Sequence, residues 1–413
     1  MRCDPKRKVM LAQIAWRNVW RNKGRSGVVI GAMIVGIWAL TFGNGFMESF
    51  LIGYIEGSIL HQTSNGQIHH PEFSRDQDIK FTIANPETIF SHLDSQKTIR
   101  EICARSMVNG MISSTRQAVG VRIVGVNPEA EARVTQLDSL VANGGYFNAV
   151  IRHEVLIGER LAAKLKVKLK SKVVLTFQDK HGNITAGQFR VSGILHAASL
   201  VINESTAYVQ ASDLNELLEI GNSFHEIAYT TVPGTDDQAL ADQLQKEFPA
   251  QKTESWLALS PDLVFMQQIM GTEMLALIVI IMTALAFGII NTMLMAVLER
   301  IRELGVLMAL GMKRSRVFLM IMMETIFLST AGGPLGFAAG YATINYLGKK
   351  GIDLTNYSEG LEAFGYESIL YPSLTTAEYL QIVAGVLITA ILASIYPAWK
   401  AIRFNPVEAI HSL

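Results

Sequence analysis

Four uncharged apolar segments, Gly27 to Met47, Met274 to Leu298, Thr325 to Gly348 and Tyr379 to Trp399, constrain this chain more than any other feature. Each holds about the 20 residues that a helix needs to cross hydrocarbon. No water is available there for unpaired backbone groups, so each must become a helix. Residues 48 to 273 separate the first segment from the second, whereas the last three follow closely. The reading is an α-helical membrane protein with four transmembrane helices and a large extracytoplasmic α+β domain inserted between helices 1 and 2.

Orientation follows from the flanks, because Lys and Arg beside a span resist translocation. Arg2, Lys6, Arg7, Lys8, Arg17, Arg21, Lys23 and Arg25 precede the first span against Asp4 alone. Arg300, Arg302, Lys313, Arg314 and Arg316 lie between the second and third spans, against Glu299 and Glu303. The balance reverses between the third and fourth, where Asp353, Glu359, Glu362, Glu367 and Glu378 oppose Lys349 and Lys350, and Lys400 and Arg403 follow the fourth span. Both termini are therefore expected inside and the long insertion outside. The expected segments are a cytoplasmic amphipathic stretch 1–26, span and stalk 27–53, outer domain 54–260, stalk and span 261–298, cytoplasmic helix 299–316, span 317–348, outer loop 349–378, span 379–399 and tail 400–413.

Composition permits this picture without demanding it: 49% hydrophobic residues, 17% charged and no net charge average spans with a soluble domain. The basic runs sit beside spans, as anchors for anionic lipid, and no basic face suited to nucleic acid is legible. Cys3 is expected inside and Cys103 outside, which excludes a disulfide between them. No apolar leader precedes Cys3, so it is not expected to carry lipid, and the first span is too long for a cleaved signal.

Within the outer domain, β-branched content and partial alternation predict strands at Gly66–His70, Val119–Val126, Val173–Phe177, Gln188–Ile194, Thr206–Val209 and His225–Val232. Helices are predicted at Pro128–Leu137, Gly158–Leu165, Ser212–Ile220 and Thr235–Phe248, with Ser212 and Thr235 as N-caps. Asp179 to Asn183 reads as a hairpin turn with Gly182 free to take a positive φ. One core or two lobes would fit this length.

Two stalks are expected above the membrane. The first span's pattern runs on through Phe46, Phe50 and Tyr54 toward Leu60, and Ser260-Pro261-Asp262 is a helix start well before the second span. The apolar positions Phe46, Phe50, Phe265, Met266, Ile269 and Met270 would face one another, a partner, or an amphiphile, and Met-rich aromatic surfaces suit variable apolar ligands. On the inner side, Ile301, Leu304, Leu307 and Met308 recur at helical spacing, and Gly311 can end that helix in the left-handed conformation. It is either a passive interfacial helix or a docking element.

The runs ERIRELGVLMALGMKRSRV, AWRNVWRNKGRS and YPAWKAIRFNPVEAI resemble the FtsX/MacB/LolCE superfamily of ABC transporter permeases. LIGERLAAKLKVKLKSKVVL is similar to part of their periplasmic domains. The resemblance implies that Arg302, Glu303, Leu304, Gly305, Ala309 and Gly311 meet a separate cytoplasmic ABC ATPase dimer, with ATP and magnesium held by that partner and no cofactor by this chain. It also implies a second permease copy or a paralogue, a bacterial inner-membrane location, and a lipoprotein or other amphiphile handled in the outer leaflet. The sequence contains no G-x-x-x-x-G-K-[ST] loop to cradle phosphates, so hydrolysis is expected in trans. The macrolide-exporter branch fuses its ATPase to the permease, whereas lipoprotein-releasing permeases are free-standing and of similar length. Asp179–Asn183 is short and proline-free, and differs from the proline-bearing hook by which one such permease recruits a carrier.

Gly332, Gly336 and Gly340, and likewise Gly27 and Gly31, fall at four-residue steps that let another helix approach closely, in a dimer or within one bundle. Pro334 is expected to kink its span. Glu324, the one carboxylate in an otherwise apolar run, is either a functional candidate or, lying about two turns from Arg316, a residue that snorkels or pairs near the inner surface, and Asn291 could hydrogen-bond across helices. His69, His70, Glu72, His225 and Glu226 lack the spacing of a zinc site and read as surface residues. Lipoprotein or amphiphile extraction, FtsX-like regulation of a cell-wall hydrolase, and a membrane-anchored enzyme remain the competing functions.

Overall fold

A computed structural model describes residues 5–21, 23–83, 86–148, 151–197, 199–357, 361 and 369–403. Four helices among them are long and apolar enough to cross a membrane. The first span helix runs Lys23–Ser58 and closes in a π-helical turn, Ile59–Thr63. The second runs Pro261–Glu299, the third Arg314–Lys350 and the fourth Thr376–Ile402. At 1.5 Å per residue the first two are roughly 54 and 58 Å long, well beyond the ~30 Å of hydrocarbon, so each must project from it. The third continues through Pro334, whose expected effect does not extend to ending the helix. Thr375 begins the fourth with a reciprocal capping box to Glu378.

The described residues divide into two units: those of 1–50, 268–353 and 369–413 in one, those of 51–267 and 354–368 in the other. In the helical unit the third span packs against the fourth and against an N-terminal helix, Pro5–Arg21. Its core joins Met33, Ile37, Ile289, Met293, Ile321 and Ala393. The glycine stripe of the third span lies on the first. A methyl group on Gly332 would sit 3.1 Å from Met33 Cβ, one on Gly336 3.0 Å from Ile37 Cβ, and one on Gly340 2.7 Å from Thr41 Cβ. This close approach is intramolecular. Gly27 and Gly31 have no such neighbour within 4 Å among the described residues.

The other unit is built on a mixed ten-stranded sheet: β1 (Gly66–His69), β2 (Ile99–Ser113), β3 (Ala118–Val126), β4 (Val141–Gly144), β5 (Glu154–Gly158), β6 (Lys172–Gln178), β7 (Ile184–Leu195), β8 (Thr206–Gln210), β9 (Glu226–Thr231) and β10 (Lys252–Ser255). Its order is β10-β1-β9-β2-β3-β8-β5-β7-β4, with β6 paired to β2 and β7. Only β3–β8 and β5–β7 are parallel among the pairs described. β2 belongs to both halves: residues Ile99–Arg105 pair with β9 and Met111–Ser113 with β6. Separate cores form at the two ends, one around Ile68, Leu93, Ile227 and Leu244, the other around Ile112, Ile123, Ile157 and Phe189.

β2, β4, β5 and β10 are absent from the sequence reading. β2 escapes it because Arg105, Asn109 and Gly110 interrupt its alternation, yet Arg105 is only 4% exposed. Two caps also differ. Gln210 precedes the helix Ala211–Leu218 where Ser212 was expected, and the side chain of Asp236, rather than Thr235, accepts from the amides of Gln238 and Ala239. The Asp179 turn forms as expected: its amide donates to Asn183 O at 2.9 Å and Gly182 has φ +83°.

Gly340→Val should lower the unfolding free energy by about 1–3 kcal/mol through overpacking on Thr41, while Gly27→Ala should leave it unchanged. Denaturation in detergent, followed by tryptophan fluorescence, measures both.

Candidate coupling site and stalk roots

Between the second and third spans lies a separate helix, Ile301–Ala309. Arg300 is the break before it, and Gly311, at φ +94°, ends the turn after it, donating to Met308 O at 3.0 Å. Its faces divide the residues assigned to an ATPase interface by resemblance. Arg302, Glu303, Ala309 and Gly311 are exposed, whereas Leu304 and Gly305 are buried toward the bundle and cannot meet a partner without repacking. Val306 and Leu310, at 43% and 81% exposure, complete the outer face. They were missed, although their i, i+4 step was readable once the buried side was known.

Glu324 does not pair with Arg316. Its Oε1 accepts from Asn18 Nδ2 at 2.6 Å and from Arg300 Nη1 at 3.3 Å. Arg300 Nη2 also donates to Asn18 O at 2.9 Å, and Arg21 reaches both carboxylate oxygens of Glu303 at 2.9 and 3.0 Å. Beside these residues is a cavity of about 550 Å³, lined mainly by apolar side chains including Ile14, Val297, Leu307 and Met320. Asn291 is exposed and forms no bond to another helix among the described residues.

The first stalk carries an aromatic ridge at four-residue steps. Ring centroids lie 5.9 Å apart for Trp38–Phe42, 6.0 Å for Phe42–Phe46 and 5.0 Å for Phe46–Phe50. On the second stalk Phe265 is 63% exposed and Ile269 41%, with Met266 and Met270 half-buried and Leu263 buried. Ser260 starts this helix through its carbonyl, which accepts from Leu263 N at 3.1 Å.

The roots of both stalks enter one edge of the sheet. The π-helical turn of the first leads into β1, β10 leads toward the second, and β1 and β10 pair antiparallel over Gly66–His69 and Lys252–Ser255. Asp237 clasps them: Oδ2 accepts from Asn65 Nδ2 at 3.0 Å and from Trp256 Nε1 at 3.1 Å, while Oδ1 accepts from Thr231 Oγ1 at 2.8 Å. Arg105 anchors the first root through the turn that follows it. Its guanidinium donates to Glu131 (Nη2–Oε1 2.9 Å), to Glu226 Oε1 at 2.7 Å and to Gln62 O at 3.2 Å. His61 Nδ1 lies 2.8 Å from Thr135 O, tying the same turn to the helix Pro128–Thr135 that carries Glu131. Burial pushes the Glu226 carboxyl up, and Arg105 opposes this.

The histidines read as surface residues include two that are buried, His69 at 3% and His225 at 0% exposure. His225 Nδ1 accepts from Met107 N at 3.0 Å and its Nε2 lies 3.0 Å from Ile79 O, while His69 Nε2 lies 2.9 Å from Glu254. They stitch strands and loops together. Among the described residues no group of three or more His, Cys, Asp or Glu could hold a metal. Cys103 is buried, and burial pushes its thiol well above the ordinary range.

Four helices long and apolar enough to span a membrane, a mixed α/β unit and a short helix with an exposed face between two spans define the architecture of a membrane protein with a large domain outside the lipid. Residues 275–406 match the family model described as FtsX-like permease C-terminal. The chain is 20% identical over 415 residues to the lipoprotein-releasing system transmembrane protein LolE of Haemophilus influenzae, covering 94% of this chain and 92% of that one. It is 20% identical to LolC of the same organism over 72% of each chain. It is 30% identical to the macrolide export ATP-binding/permease protein MacB of Bdellovibrio bacteriovorus over 30% of this chain and 16% of the relative. The solved periplasmic region of MacB from Actinobacillus actinomycetemcomitans aligns with 51% of this chain and 96% of its own length at 13% identity and TM-score 0.36. Residues 275–406 thus carry an FtsX-like permease C-terminal region, and the chain as a whole is similar to ABC transporter permeases of the FtsX/MacB/LolCE superfamily.

Arg105→Met should destabilise by about 3–5 kcal/mol, because it leaves two buried carboxylates without their counter-charge. Thermal unfolding of the purified chain measures it. A hydrogen bond from His69, joined by Lys252, holds Glu254 down at about 2. Its folded value lies below its unfolded one, so its stabilisation is present above about 4.5 and lost as pH falls through about 2. Glu254→Gln should flatten the melting-temperature profile over that window alone.

Proposed function

We propose that this chain is the membrane subunit of an ABC transporter in the bacterial inner membrane, with both termini and the helix Ile301–Ala309 facing the cytosol and the α/β unit outside. A separate ATPase dimer binds the outer face of that helix, at Arg302, Glu303, Val306, Ala309 and Leu310, and supplies ATP and magnesium chemistry. Two permease chains, identical or paralogous, form the working unit. The cargo is a lipoprotein or another amphiphile of the outer leaflet, taken up along the stalk aromatics Phe46 and Phe50 and the exposed Phe265 and Ile269.

The observation that carries this reading is the continuity of the stalks. Uninterrupted helices run Lys23–Ser58 and Pro261–Glu299, and they lead to paired neighbours in one sheet. Such helices transmit displacement with little internal compliance, so work done at Ile301–Ala309 can move cargo outside without a channel through the bilayer. Similarity to LolE along 94% of this chain favours a lipoprotein cargo over a regulatory role.

Purification of the native complex should recover an ABC ATPase, and photo-crosslinkers at Phe50 and Phe265 should capture acylated protein. Adducts to a cell-wall hydrolase would replace this reading with mechanical regulation. An impermeant maleimide should label Lys180→Cys from the outside; labelling only after cell lysis would reverse the assigned orientation.

A further inference from the structure

We propose that Asn18, Arg300 and Glu324 form a latch that locks the N-terminal helix to the helix Ile301–Ala309 and delivers its displacement to the third span. The proposal rests on the function above but makes a separate claim: these are positioning residues for the coupling step, and none lies on the ATPase-facing surface.

Arg300 stands at the joint, outside both the second span and the short helix, at φ −106° and ψ 15°. An unrestrained residue there would let the short helix swing on its own. The last four carbonyls of Pro5–Arg21 have no partner within their own helix. Two find partners elsewhere: Asn18 O accepts from Arg300 Nη2 at 2.9 Å, and Val19 O from Ser26 Oγ at 2.5 Å. One guanidinium therefore caps the N-terminal helix and, 3.3 Å away, meets the carboxylate of the third span. Asn18 Nδ2 closes the triangle on that same oxygen at 2.6 Å. The outer rim is tied by Arg21 and Glu303.

Packing cannot do this work alone. A cavity of about 550 Å³ lies between the N-terminal helix, the end of the second span, the short helix and the third span, and residues of all four line it. Leu304 and Met308 join the helical core, but beside them the short helix borders this cavity, so the polar triangle adds directional contacts where apolar packing is incomplete. Glu324 is 7% exposed, and a carboxylate so buried depends on its guanidinium partner. Removing the charge of either should free the short helix without touching its outer face.

The exchange of carboxylate and amide across the 2.6 Å contact tests the latch. Glu324→Gln leaves Arg300 without its counter-charge, and Asn18→Asp sets two carboxylates against each other. The double variant Asn18→Asp with Glu324→Gln restores one carboxylate, one amide and the guanidinium. In the full chain without ATPase, spin labels at the exposed positions Arg17→Cys and Ala309→Cys should give a narrow distance distribution. It should broaden in each single variant and narrow again in the double variant. In nanodiscs with the copurified ATPase, each single variant should keep its KM for ATP and its hydrolysis rate. ATP-dependent movement of a label at Gln268→Cys should fall about tenfold and return in the double variant, as non-additivity between contacting residues requires.

Unchanged distances in the single variants, or a double variant no better than the worse single one, would overturn the latch. Equal loss of hydrolysis and movement would also overturn it, by showing a merely structural role. If Glu324→Gln does not accumulate, Arg300→Lys decides the question. It keeps the charge but lacks the fork that reaches both Asn18 O and Glu324, so it should also broaden the distances, and wild-type distances would refute the latch. Failure to recover any ATPase with the native chain would sink the proposed function, while the ATPase-free distances would still decide the latch.

Discussion

One buried guanidinium organises the α/β unit. Arg105 lies in the middle of β2, the strand shared by both cores, and its donors reach Glu131 on a helix, Glu226 on β9 and the Gln62 carbonyl in the turn that ends the first stalk. Desolvating such a cluster is costly, and an apolar triad of the same shape could stabilise the unit as well or better. What the ionic cluster provides is geometry. A guanidinium satisfies its donors only in fixed directions, so helix, strand and stalk turn are held in one register.

The same logic continues at the edge of the sheet. Asp237 accepts from Asn65 and Trp256, one beside each stalk, and β1 and β10 carry the two roots as hydrogen-bonded neighbours. A displacement of either stalk is therefore received by a pair of strands, and an aligned strand pair shears poorly because its whole ladder must break together. Under the proposed function, a stiff attachment at the root matters as much as a stiff helix.

The helical unit uses two kinds of joint. Where the third span meets the first, Gly332, Gly336 and Gly340 admit Met33, Ile37 and Thr41 so closely that a methyl group would force its neighbour to shift. Dispersion across so close a contact suits a region without a hydrophobic driving force between helices. Around Arg300 and Glu324 the contact is instead sparse, polar and directional beside a cavity. Close packing resists every displacement alike, whereas a few directional bonds fix one orientation and can be exchanged for another.

Much of this was legible in the residues. Uncharged length gave the four helices, the Ser260-Pro261-Asp262 signal gave the start of the second stalk, and Gly311 gave the end of the short helix at the residue where φ turns positive. These are local properties: helix length, capping and a missing Cβ act within a few residues of where they are written. The partners of Arg105, Glu324, His69 and His225 were not legible, nor was β2, because a buried polar or charged side chain reads as a surface residue until its partner is brought near from far along the chain. The sequence by itself thus determined the spans, their stalks and the short helix between them. Only the tertiary structure decided which charges are buried, which face of the short helix is outward, and that the glycine stripe packs within the chain, since each depends on contacts between segments that sequence spacing does not relate.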